Sequence, residues 1–78
     1  MKIRYTLHAL ERMRQRGIER SLVEQCLSNP DKDEEVEGVR RCVKRVGNRV
    51  LVVIYRSVND TLVVITAFIT SKVHKYLS

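Results

Sequence analysis

Residues 36–69, VEGVRRCVKRVGNRVLVVIYRSVNDTLVVITAFI, decide the fold. The stretch is rich in β-branched residues and is punctuated at Gly47-Asn48 and Asn59-Asp60, so it reads as strands over 36–46, 49–58 and 61–69 joined by two tight turns. Two-residue turns set the register, with Val46 opposite Arg49 and Val58 opposite Thr61. Side-chain alternation then puts Val39, Val43, Val50, Val52, Ile54, Val63, Ile65, Ala67 and Ile69 on one face, the expected floor for helices. The other face mixes Leu51, Val53, Leu62, Val64 and Phe68 with Arg40, Cys42, Lys44, Tyr55 and Thr66. Apolar walls around a few polar groups suggest a concave binding surface there, or a floor covered by the tail that holds Val73, Tyr76 and Leu77.

Upstream, Thr6 is placed to cap a helix that carries Leu7, Leu10 and Met13 and ends at Gly17. Ser21 and Glu24 have the spacing of a capping box before Leu22, Val23, Cys26 and Leu27, and Asn29-Pro30 stops that second helix. A short connection between the two predicts a helical hairpin. The expected class is therefore α+β: an N-terminal helical hairpin on one face of a three- to four-stranded antiparallel sheet, with a short C-terminal tail or helix. Lys2 to Tyr5 is a candidate edge strand, and the acidic segment 31–37 reads as a solvated loop, too short for a patterned metal site.

Seventy-eight residues suffice for one core, so a single domain spanning 1–78 is expected. The chain has no membrane-length apolar run and begins without a signal-peptide pattern, which predicts a cytoplasmic protein. Cys26 and Cys42 fit neither a disulfide scaffold nor a metal-binding spacing, and both thiols are expected to be reduced and packed. The net charge is +6, yet five of the nine acids fall in 31–37, leaving 14 basic residues against four acidic ones elsewhere. That bias favours a polyanion as partner.

His8, Arg12 and Arg16 recur every four residues on the first helix and form a candidate phosphate-binding ridge, with His8 in the first turn as the candidate proton acceptor. Metal-free cleavage of RNA needs a base for the ribose 2′-hydroxyl, cationic donors for the phosphorane and an acid for the leaving oxygen. His8 could be the base, Arg12 and Arg16 the cationic donors, and Tyr55 or Lys44 the acid, with Thr66 positioning a phosphate. Arg40 and Lys44 on the sheet, with Lys72, His74 and Lys75 in the tail, are further RNA-binding candidates. No cofactor or metal is expected. Singly, each residue also has an ordinary reading, as a solvated helix face, a strand aromatic or a strand threonine.

The string Thr6-x-His8-Ala9-x-x-Arg12-Met13-x-x-Arg16-Gly17-Ile18 resembles the opening of the small proteins called domain of unknown function 4258. Asn29-Pro30-Asp31, the Gly47-Asn48 turn and Val63-Val64-Ile65-Thr66-Ala67 follow in that family's order. That family in turn resembles the RelE and ParE toxins, which implies a single RelE-like domain, RNA cleavage on the side of the sheet opposite the helices, and neutralisation by an antitoxin. The positions carried over by the resemblance are His8, Arg12, Arg16 and Thr66. One departure is Phe68, where several related toxins place an arginine. Two readings follow: a metal-independent endoribonuclease of toxin type, acting on free or ribosome-bound RNA, or a non-catalytic module binding nucleic acid or protein. A homodimer formed through the mixed sheet face is a further expectation.

Overall fold

The computed structural model describes residues 2–78. In chain order these form β1 (Lys2–Tyr5), α1 (Leu7–Arg16), α2 (Arg20–Ser28), β2 (Lys32–Val36), β3 (Val39–Val46), β4 (Arg49–Val58), β5 (Thr61–Thr70) and α3 (Val73–Leu77). The class is α+β, but the sheet is five-stranded and mixed, in the order β1-β5-β4-β3-β2, with β1 parallel to β5 and the other pairs antiparallel. The expected helical hairpin on a three- to four-stranded antiparallel sheet is thereby corrected at both edges of the sheet.

Each correction has a local cause. The acidic segment is a strand, because its charges meet opposite charges across a hairpin: Glu34 is opposite Arg41 and Glu35 opposite Arg40. The turn between them holds Glu37 at φ 52° and Gly38 at φ 84°, the two consecutive positive values that a type I′ hairpin turn requires. At the other edge, β1 joins beside Thr61–Val64, and the chain crosses directly into α1. Both central turns have the expected register, with Val46 opposite Arg49 and Val58 opposite Thr61.

The faces are the second correction. Ala9, Met13, Ile18, Val23 and Cys26 pack on Cys42, Leu51, Val53, Tyr55, Val64 and Ala67, so α1 and α2 lie mainly on the face expected to be open. Leu51 and Val53 are fully buried there and wall no binding surface. Val43, Val50 and Val52, with Ile54 and Phe68, lie on the opposite face beneath Val73, Tyr76 and Leu77 of α3. Alternation groups residues into faces but cannot say which of two apolar faces takes the helices. A bulge adds to this: Ile54 is opposite Thr66 while Tyr55 is opposite Val64, so Ile65 is an extra residue on β5. Beyond it the parity of β5 inverts, which brings Val64 and Ala67 to one face.

The helix ends show what positions α1. Thr6 Oγ1 accepts the amide of Ala9 at 3.0 Å and donates to the Ile65 carbonyl at 3.2 Å, so one hydroxyl caps the helix and pins it to the bulge. Gly17, at φ 65°, ends the helix in the left-handed region, and the Ile18 amide returns to the Met13 carbonyl at 2.9 Å. Leu7, expected on the buried stripe, is 85% exposed; Ala9 and Met13 carry the contact. In α2 the helix starts two residues earlier than the Ser21–Glu24 spacing predicted, with Glu19 as the N-cap and no side-chain cap.

Thr6→Ala is expected to cost about 1–2 kcal/mol, the upper range for a lost cap, because the same hydroxyl also holds β5. Urea unfolding should show a lower midpoint at an unchanged slope, with Thr6→Ser restoring most of the loss. A midpoint unaffected by Thr6→Ala would remove the capping role.

Candidate nucleic-acid interface

An i, i+4 row on a helix drifts around the axis by roughly 40° per step, since four residues turn it slightly more than once. Along α1 this drift carries the row from His8 toward the sheet at Arg16, and all of His8, Arg12 and Arg16 are exposed. Arg16 donates from Nη1 to the Ala67 carbonyl at 2.8 Å. That carbonyl lies on β5 past the last residue paired with β1, so the arginine satisfies a backbone group the edge strand does not reach. A guanidinium has five N–H donors, and one bond leaves others for an anion. Arg12 makes one local bond, from Nη1 to Gln15 Oε1 at 3.3 Å. The ridge is therefore an open cationic flank anchored at one end to the sheet.

Tyr55, Arg40 and Lys44 lie on the same side of the sheet as α1 and α2, toward β2 and β3. Tyr55 is 6% exposed and donates its hydroxyl to Asp33 Oδ2 at 2.8 Å, while Arg40 Nε donates to Asp33 Oδ1 at 3.3 Å. Burial, then donation to Asp33, push the Tyr55 phenol above its ordinary value. Contact with Tyr55 and Asp33 in turn raises Arg40. The three side chains form one hydrogen-bonded unit in which the phenol is a firmly held donor. Lys44 Nζ donates to the Asn29 carbonyl at 3.0 Å, just past the end of α2.

Beside Arg40, β4 runs on past the start of β3, since Arg40–Tyr55 is the last pair of their ladder. The step leaves an open cleft of about 360 Å³ lined by Glu35, Gly38, Arg40, Arg56, Ser57 and Val58. Two arginines and a serine hydroxyl suit an anionic group, with Glu35 opposing it. Arg56 and Ser57 were not singled out from the sequence; only the unequal lengths of the paired strands place them beside Arg40.

The remaining candidates sit elsewhere. Thr66 is opposite Ile54 on the face that α3 covers. Lys72, His74 and Lys75 are exposed on and beside α3, with Lys75 Nζ 5.4 Å from the Tyr76 ring. Phe68 packs edge-on against Tyr76 with ring centroids 6.0 Å apart. Two groups thus emerge: His8, Arg12 and Arg16 with Tyr55, Arg40 and Lys44 on the side of α1 and α2, and Thr66, Lys72, His74 and Lys75 on the side of α3. Asp33, which joins Tyr55 to Arg40, escaped notice because its segment read as a loop; an acidic run facing Arg40 and Arg41 across Glu37-Gly38 was the available signal.

Among the described residues, no three His, Cys, Asp or Glu side chains are grouped to hold a metal ion. Among the described residues no helix is long and apolar enough to cross a membrane. No curated protein and no solved structure matches the chain. A family model does match, over residues 5–69, a span running from the end of β1 through nearly all of β5 and including the α1 ridge, the Asp33 unit and the cleft. The chain belongs to the family described as domain of unknown function (DUF4258).

Proposed function

We propose that the chain binds RNA along the cationic flank of α1 and cleaves it without a metal, in the manner of the RelE-like toxins that its opening motif resembles. The observation that carries this reading is the exposed row of His8, Arg12 and Arg16, anchored to β5 through the Ala67 carbonyl. In this mechanism His8 takes the proton of a ribose 2′-hydroxyl, and the freed oxygen attacks the adjacent phosphorus. Arg12 and the unused donors of Arg16 hold the charge of the phosphorane. The bond to the 5′-oxygen breaks, giving a 2′,3′-cyclic phosphate and a 5′-hydroxyl end once the leaving oxygen is protonated. Lys44 and Tyr55 are engaged by Asn29 and Asp33, so solvent or imidazolium at His8 is the simpler proton source.

The test is incubation with end-labelled RNA in excess chelator, alone and with ribosomes. Cyclic-phosphate ends are the expected product; intact RNA in both conditions would end the catalytic reading. A second reading, a binding module without catalysis, is favoured by Phe68 packed beneath α3 and by a ridge with no carboxylate partner for His8 among its hydrogen bonds. It predicts a complex that weakens steeply with salt and leaves RNA whole. An antitoxin or a second copy of the chain would have to engage surfaces other than Leu51 and Val53, which the helices cover.

A further inference from the structure

Two cysteines, 16 residues apart in sequence, meet in the core. Cys26 on α2 and Cys42 on β3 are each fully buried, and their sulfurs lie 3.2 Å apart, with the Cys26 thiol donating to Cys42 Sγ and the Cys42 thiol donating to the Cys26 carbonyl at 3.1 Å. Sulfurs in a disulfide are separated by about 2.05 Å, so closure needs an approach of roughly 1 Å. Packing of small hydrophobes would be served by any side chains of that size; here each sulfur is the other's polar partner.

We propose that Cys26 and Cys42 are a redox modification site, converted by a peroxide to an intramolecular disulfide that ties α2 to β3. Charge around the pair favours one order of events. Loss of a proton from Cys42 leaves a thiolate that still accepts the Cys26 thiol, with Arg40 and Lys44 close by; these outweigh burial and Asp33 and draw Cys42 below its ordinary value. The same hydrogen bond, with burial, pushes Cys26 up. The Cys42 thiolate therefore attacks one oxygen of hydrogen peroxide, the O–O bond breaks, and hydroxide leaves to give a sulfenic acid. Cys26 sulfur then attacks the Cys42 sulfur and expels the hydroxyl. The net change is two thiols and one peroxide to one disulfide and two waters.

Access comes through α2, a nine-residue helix without an N-terminal side-chain cap, whose transient lifting opens the pair. Only small oxidants are expected to react before the protein unfolds. The link closes a short loop through Asn29-Pro30-Asp31, and removing that freedom from the unfolded chain stabilises the fold.

The experiment treats fully reduced, folded protein with hydrogen peroxide, quenches it, denatures it, alkylates it and weighs it intact. The expected product is a monomer lighter by two hydrogens and closed to alkylation, melting roughly 10 °C or more above the reduced form and returning to it with dithiothreitol. Cys26→Ser and Cys42→Ser, each confirmed folded by circular dichroism, should show no such rise. Free thiols surviving prolonged peroxide, addition of oxygen without loss of hydrogen, cross-linked dimers as the main product, or the same melting rise in either serine variant would each overturn the proposal.

Discussion

Leu51→Ala should remove about 2–5 kcal/mol of stability, the cost of truncating a leucine in a well-packed core. Leu51 is the largest fully buried side chain and sits on β4, the middle strand, beneath the packed helices. A chain of 78 residues at ordinary specific stability has roughly 4–12 kcal/mol in total, so the loss is a large share of the whole and the variant should melt well below the parent. The informative partner is Val52→Ala, one residue along and equally buried on the opposite face. It loses two methylene equivalents, about 1.6 kcal/mol at 0.8 each, and α3 can settle into the space. Urea midpoints at constant slope measure both. A larger loss from Val52→Ala than from Leu51→Ala would mean that the dominant core is on the α3 face, as the alternation pattern alone had suggested.

That comparison isolates what the sequence could and could not convey. Turns are local, so Gly47-Asn48 disclosed the pairing of β3 with β4 down to individual partners, and Asn59-Asp60 that of β4 with β5 as far as the bulge at Ile65. The Thr6 cap and the Gly17 stop were legible for the same reason. The choice of face is not local. Both faces of β4 are apolar, and the decision rests on α3 covering one of them and on a single inserted residue, Ile65, that inverts β5. Nor could β1 be oriented, because a four-residue edge strand has no turn to set its direction. The strand β2 was hidden by composition: consecutive acids suggest solvation until the arginines opposite them are known. The candidate site divides along the same line. The ridge on α1 follows from helical spacing alone, whereas Asp33, Arg56 and Ser57 gain meaning only from strand neighbours.

The second large effect falls on the ridge. His8→Ala is expected to slow RNA cleavage by about 10²–10⁴-fold, the range for loss of a positioned general base, and to leave the melting temperature unchanged because the His8 side chain is exposed and makes no hydrogen bond among the described residues. Arg12→Ala should reduce cleavage as well, but through binding: affinity should fall and the dependence of log affinity on log salt should flatten by about one unit, as for a lost phosphate contact. Arg16→Ala is the poorer probe, since it also strips the Ala67 carbonyl of its donor and would mix stability with activity. The pair separates the two readings of the protein. Cleavage lost in His8→Ala with affinity retained identifies the base of a ribonuclease. Unaltered cleavage would remove His8 from any mechanism, and a flattened salt response in Arg12→Ala without any parental cleavage would leave α1 as the contact surface of a binding module.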